Sequence, residues 1–206
     1  ADGVKPQILY ASSAFIGDVD LHFDADRIAF SSGIQGEKGW RILETQLDKP
    51  GVAKHLTPQD MNDIDFYDPC YLPDGRMLFV ATSGFHGVPC VTGSDYVGNT
   101  HLMEKDGSIR RLVFDQDNSW CPVVMNNGRV LYLRWEYTDS AHYFSRVMMT
   151  MNPDGSDQQE FYGSNSYWPN SMFYARPLPN SVTKFVAIVG GHHGLAPGPF
   201  VELQGK

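Results

Sequence analysis

The chain is poor in cysteine, short of basic residues, free of long apolar runs and without a segment that reads as a long helix. Three cysteines, Cys70, Cys90 and Cys121, permit at most one intramolecular disulfide and leave one thiol over, a weak compartment signal. No apolar run approaches the ~18 residues a helical membrane span requires. Sixteen Lys and Arg against 24 Asp and Glu give a net charge of −8, and the basic residues do not cluster, so no nucleic-acid partner is expected. Gly-x-Ser-x-Gly is absent, which removes the usual foothold for a hydrolase triad. Gly190-Gly191 follows a strand-like run, but no helix follows to offer its N-terminus to a phosphate. The one helical candidate is a turn or so at Pro58–Asp63, and Ala1-Asp2-Gly3-Val4 carries no leader signature.

Present instead are 20 glycines and 13 prolines in a chain that is 42% hydrophobic and 13% aromatic, a composition of strands and turns around a sizeable core. Internal similarity organises them. Asp24-Ala25-Asp26-Arg27-Ile28-Ala29-Phe30, Pro73-Asp74-Gly75-Arg76-Met77-Leu78-Phe79 and Asn126-Asn127-Gly128-Arg129-Val130-Leu131-Tyr132 each read as a polar turn, an Arg and an apolar strand ending in an aromatic. A degenerate fourth copy places Lys184 in the Arg position. A second element, a strand entering an Asp-Gly turn, recurs at Leu102–Ser108 and Met149–Ser156, with Ile42–Thr45 and Lys54–Thr57 filling the slots in the first copy.

A period of about fifty residues with four short antiparallel strands, A to D, is the arithmetic of a β-propeller blade. The expected fold is all-β, about four blades belonging to a larger propeller. A single domain over 1–206 would hold blades near 18–60, 61–115, 116–163 and 164–206, with 5–17 forming part of a preceding strand. A β-sandwich with coincident turn spacing is the alternative.

The pattern Asp68-Pro69 … Leu72-Pro73-Asp74-Gly75-Arg76 … Asp106-Gly107-Ser108 … Arg111-Leu112 resembles the TolB-type propeller repeat. Together with Gly87-Val88-Pro89-Cys90, Gly93–Asn99 and Gly163–Ser171, it also resembles the propeller region of hydrazine synthase alpha-subunit-like proteins. The second resemblance implies a redox setting with covalent c-type haem. This chain holds no Cys-x-x-Cys-His, so haem attachment does not carry over. The first implies a periplasmic or extracellular module, joined to further blades of the same protein or to copies of itself.

In a propeller the A–B and C–D turns share one end, and the B–C loops and D–A crossovers share the other. The second end is expected to carry function, because its loops are long, variable and rich in ligating residues. Trp120, Glu136, Tyr137, His142, Tyr143, Tyr167 and Trp168 form the expected face for a protein, peptide or glycan partner. His192, His193, Cys90, His86 and Asp68 are the candidate ligands if a transition metal binds, although no pair has a familiar ligand spacing. His101 is placed just beyond the same loops. Cys70 and Cys90 are candidates for a disulfide, with Cys121 competing for either, and buried free thiols are the alternative. Trp120 and Trp168 occupy aligned places before Pro122 and Pro169, where packing between blades competes with ligand stacking. The open readings are a binding scaffold, the propeller part of a redox enzyme, and an oligomerisation module.

Overall fold

The computed structural model describes residues 5–34, 39–137, 146–163, 169, 171–190 and 200–205, without the side chains of Cys90, Arg146 and Phe200. Its strands form four antiparallel sheets, each made of neighbours in sequence order. Blade 1 holds β1 (Ile16–Leu21), β2 (Arg27–Gly33), β3 (Trp40–Gln46) and β4 (Ala53–His55). Blade 2 holds β5 (Phe66–Tyr71), β6 (Met77–Ala81), β7 (Asn99–Met103) and β8 (Ile109–Arg111). Blade 3 holds β9 (Ser119–Val124), β10 (Val130–Trp135), β11 (Arg146–Met151) and β12 (Gln159–Tyr162), and blade 4 shows β13 (Met172–Pro177), β14 (Lys184–Val189) and β15 (Phe200–Gln204). The first strands touch in succession, β1 to β5, β5 to β9 and β9 to β13, so they are innermost and line the axis of a four-bladed propeller. Pro58–Asp63 is turn and bend, and the described helix is one 3-10 turn at Pro89–Val91.

The repeated turns have one hydrogen-bond plan. The N–H groups of Gly75, Gly107, Gly128 and Gly155 donate to the carbonyls of Leu72, Glu104, Met125 and Asn152, at 2.9 to 3.0 Å. The preceding Asp or Asn accepts the N–H two residues on: Asp74 from Arg76, Asp106 from Ser108, Asn127 from Arg129 and Asp154 from Ser156. All four glycines have φ between 81° and 89°, a left-handed conformation that costs glycine little and other residues more.

Strand alternation then divides the core into layers between blades. On β6, Met77, Phe79 and Ala81 face blade 1 and pack with Ala29, Ile42 and Tyr71, whereas Leu78 faces blade 3. On β10, Val130 and Tyr132 join Leu78, Leu102 and Cys70, and Leu131 and Leu133 turn to blade 4 against Met172, Phe185 and Ala187. A middle blade is thus buried on both faces, and its strands read as continuous apolar runs rather than alternating ones.

The first strands carry a feature that sets the geometry of the axis. Each contains a bulge at one residue in the left-handed region: Asp18, Asp68, Cys121 and Tyr174, with φ of 51° to 52°. A bulge bends its strand and re-aims the extra side chain. Here the same device at the same place in four blades turns four side chains toward the centre.

Candidate functional site

The bulges are stitched together around the axis. The Ser31 hydroxyl donates to Asp18 Oδ2 at 2.8 Å and accepts the backbone N–H of Asp68 at 3.2 Å. The Cys121 N–H donates to Asp68 Oδ2 at 2.9 Å, and the Tyr174 N–H in turn reaches the Cys121 sulfur. Asp68 thus receives the backbone of the next blade's bulge directly, whereas Asp18 is joined to Asp68 through the Ser31 hydroxyl. One level further along the strands, the Tyr71 N–H donates to Asp20 Oδ2 at 2.8 Å and the Val124 N–H points at the Cys70 sulfur. The carboxyls of Asp18 and Asp68 also hydrogen-bond to each other. Burial and the neighbouring Asp18 charge raise Asp68 to about 7, while the Cys121 N–H and Arg176 oppose the shift. Burial also pushes the Cys121 thiol well up, so it is a thiol and not a nucleophilic thiolate.

Two cavities open beside these residues. One of about 290 Å³ lies on the axis among Asp18, Tyr67, Asp68, Trp120, Cys121, Phe173 and Tyr174. The other, about 260 Å³, lies between blades 1 and 2 and is lined by Phe15, Asp18, Trp40, Asp65, Tyr67, Thr82, Asp95 and Tyr96. Asp18 and Tyr67 belong to both.

Specific packing holds these walls. The Tyr67 hydroxyl pairs with the Trp120 indole. A Cβ at position 98 would lie 2.0 Å from the Tyr67 Oη and 2.7 Å from Val80 Cγ1, so only glycine allows Tyr67 its place. Trp40 donates its backbone N–H to Asp65 Oδ1 at 2.9 Å and meets the Phe15 ring edge to face at 5.2 Å. Beside it, the fully buried Arg41 binds the carbonyls of Trp40 and Ile64 at 2.9 and 3.0 Å and Asn62 Oδ1 at 3.1 Å. One guanidinium thus ties the β4–β5 crossover to β3 and keeps Asp65 beside Trp40. Across the cavity Tyr96 stands edge to face with Phe85 at 5.6 Å.

The expected partner face comes together in part. Trp120 stacks on Trp135 at 6.2 Å, and Tyr137 meets the same Trp135 edge to face at 6.0 Å. The Tyr137 N–H donates to Asp117 Oδ2 at 2.6 Å, and Glu136 pairs with Arg134 at 2.6 Å. His142, Tyr143, Tyr167 and Trp168 lie outside the described residues.

Several expectations need correction. The place of Trp120 in blade 4 is taken by Phe173, since each immediately precedes its bulge, and not by Trp168. Asp68 and Cys121 are bulge residues within β5 and β9. Cys70 is a free, buried thiol in the core between blades 2 and 3, so the bridge to Cys90 is not formed. Strand alternation explains this, because Cys70 faces Val130 and Leu78 instead of the loops. His101 stands just beyond the β6–β7 loop. It lies buried in β7, stacked on Phe79 at 5.7 Å, with its ring nitrogens against Asn99 O and Ser83 Oγ, and burial lowers its pKa.

Of the proposed metal set, Asp68 is buried at the axis and His86 is exposed in the β6–β7 loop, while His192, His193 and the Cys90 side chain are not described. Among the described residues, ligand atoms converge instead at His22, Asp24 and Asp26, on the opposite end, in the β1–β2 turn. Arg27 already occupies the His22 Nε2 at 2.5 Å.

The residues that sequence reading passed over are Phe15, Trp40, Asp65 and Tyr67, together with the bulge residues Asp18 and Tyr174. A signal for the bulges does exist: Asp18, Asp68, Cys121 and Tyr174 each stand eight to ten residues before Arg27, Arg76, Arg129 and Lys184. Aspartate in the first two copies suits the left-handed conformation.

No family model and no curated protein sequence matches the chain. Solved structures do. Hydrazine synthase from Kuenenia stuttgartiensis superposes with a TM-score of 0.72 at 13% identity, over 93% of this chain and 31% of that one. A TolB-type protein from Agrobacterium tumefaciens gives 0.53 at 18% identity, over 72% and 49%, and a gluconolactonase from Xanthomonas campestris gives 0.56 at 12%, over 96% and 60%. The chain spans about a third of the hydrazine synthase chain and about half of the TolB chain. Identities this low establish shared architecture, and proteins of such different function on one fold leave function to the site. The architecture is a β-propeller of the TolB type.

Proposed function

We propose that this chain is a binding module of the periplasm or cell exterior that holds a protein, peptide or glycan partner at its loop end. The observation that carries this reading is the pair of cavities sharing Asp18 and Tyr67, walled by the aromatic rings of Phe15, Trp40, Tyr96 and Trp120. Aromatic walls with a few convergent polar groups are the general make-up of a ligand site. The shape favours binding over chemistry: both thiols near the axis are protonated by burial, and the imidazole of His101 is held in the core. The TolB-type neighbours support a location outside the cytoplasm.

A screen of short peptides and oligosaccharides, read by the NMR signals of the four indole N–H groups assigned through single Trp→Phe variants, tests the reading. Ligands are expected to shift Trp40 and Trp120. Ligand binding that leaves the Trp40 and Trp120 signals in place, or no binding by any ligand, would overturn it. A second reading, the propeller part of a larger redox enzyme, draws support from the extent of the likeness to hydrazine synthase. It predicts stoichiometric iron, copper or zinc in the purified protein, lost on His192→Ala.

A further inference from the structure

The cavity between blades 1 and 2 has a chemical bias beyond being a pocket. Three carboxylates line it, Asp18 at the axis, Asp65 at the back and Asp95 at the rim, and no Lys, Arg or His is among its described lining. The remaining walls are aromatic: Phe15 with Trp40 on the blade 1 side, Tyr96 on the blade 2 side and Tyr67 toward the axis. Two of these rings are held edge to face by another aromatic, Trp40 by Phe15 and Tyr96 by Phe85, which fixes the orientation of the faces.

A neutral sugar would find few donors to pair with its hydroxyls here, whereas a cation finds both carboxylates and ring faces. Of the described cations near these carboxylates, Arg41 behind Asp65 is committed to the carbonyls of Trp40 and Ile64 and to Asn62 Oδ1, and Arg176 acts on Asp20 and Asp68. At about 260 Å³ the space suits one side chain with a flexible stem, not a folded surface.

We propose that this cavity receives the ammonium or guanidinium end of a lysine or arginine side chain presented by a peptide, with Asp18, Asp65 and Asp95 as counter-charges and Trp40 and Tyr96 against the stem. The inference rests on the binding reading above and narrows its partner to a basic peptide.

Calorimetric titration of the full chain at neutral pH and low salt tests it with four probes. These are N-acetyl-lysine methylamide, its neutral norleucine analogue, pentylamine and maltotriose. The lysine probe is expected to bind at least tenfold more tightly than the norleucine analogue. Asp95→Asn, at an exposed position, and Asp18→Asn are each expected to weaken it about tenfold. Weaker binding of pentylamine than of the lysine probe supports a peptide source, and equal or tighter binding overturns that part in favour of a free amine. Equal affinity for the lysine and norleucine probes overturns the cation assignment, as does lysine binding untouched by both variants. Binding of maltotriose alone also overturns it, and leaves the broader binding reading standing. Silence from all four overturns it too, while the wider indole-signal screen decides the broader reading separately.

Discussion

Asp68 sits at the meeting point of every inner strand. From β1 it faces Asp18, from β9 the Cys121 thiol and N–H, from β13 Tyr174 and Arg176, and beside it in β5 stands Tyr67. Burial and the Asp18 charge hold its pKa near 7, against about 4 in an unfolded chain. Between those values the folded protein binds a proton that the unfolded chain has released, so stability falls as pH rises from about 4 to about 7. Burial raises Asp20, Asp115 and Asp117 as well, and their contribution has the same sign. His101, whose pKa burial lowers, opposes them below about 6.5, so urea midpoints are expected to fall between pH 6.5 and pH 8, where His101 is neutral in both states. Asp68→Asn, which keeps an oxygen for the Cys121 N–H, should flatten that slope and exceed the native protein in stability at pH 8. An unchanged slope would show that Asp68 does not hold its proton at neutral pH. Sequence reading places Asp68 among candidate metal ligands, and the structure places it buried at a bulge on the axis. The spacing before each Arg marks the bulge, but the partner it meets, Asp18 fifty residues earlier, has a non-local cause.

At the level of strands and turns, the repeat was readable because its cause is local. Asp-Gly turns need a left-handed residue, and the apolar run after each Arg needs two buried faces, so both leave a mark in composition. The blade that each residue faces follows from alternation once the strand is placed. Leu78, wholly buried between blades 2 and 3, should therefore cost about 2–5 kcal/mol on replacement by alanine, whereas the half-exposed Val182 should cost well under 1 kcal/mol. Equal losses by chemical denaturation would mean that the layer between blades is not the core. What sequence missed were the features with non-local causes. Trp40 gains its role through the Asp65 contact 25 residues away, and Tyr67 through the space left by Gly98. Pairing Cys70 with Cys90 fails because β5, phased through its bulge, turns Cys70 into the core between blades 2 and 3. The long loops drew attention for their ligating residues, yet the described cavity is built chiefly from strand ends.

Across the whole molecule, the bulges of blades 1 to 3 are hydrogen-bonded in succession at the axis, Asp68 to Asp18 through the Ser31 hydroxyl and Cys121 to the Asp68 carboxyl. That succession gives the loop end a fixed floor, and a net charge of −8 gives the surface a field that draws cations toward it. The most direct test is hydrogen–deuterium exchange with and without the tightest peptide or glycan ligand of the screen. Slowed exchange is predicted at residues 15–18, 39–41, 64–68 and 95–98, with the turns at 22–27, 73–76 and 126–129 unchanged. Protection at those turns, with the inner strand ends unaffected, would contradict a partner site at the loop end of the axis.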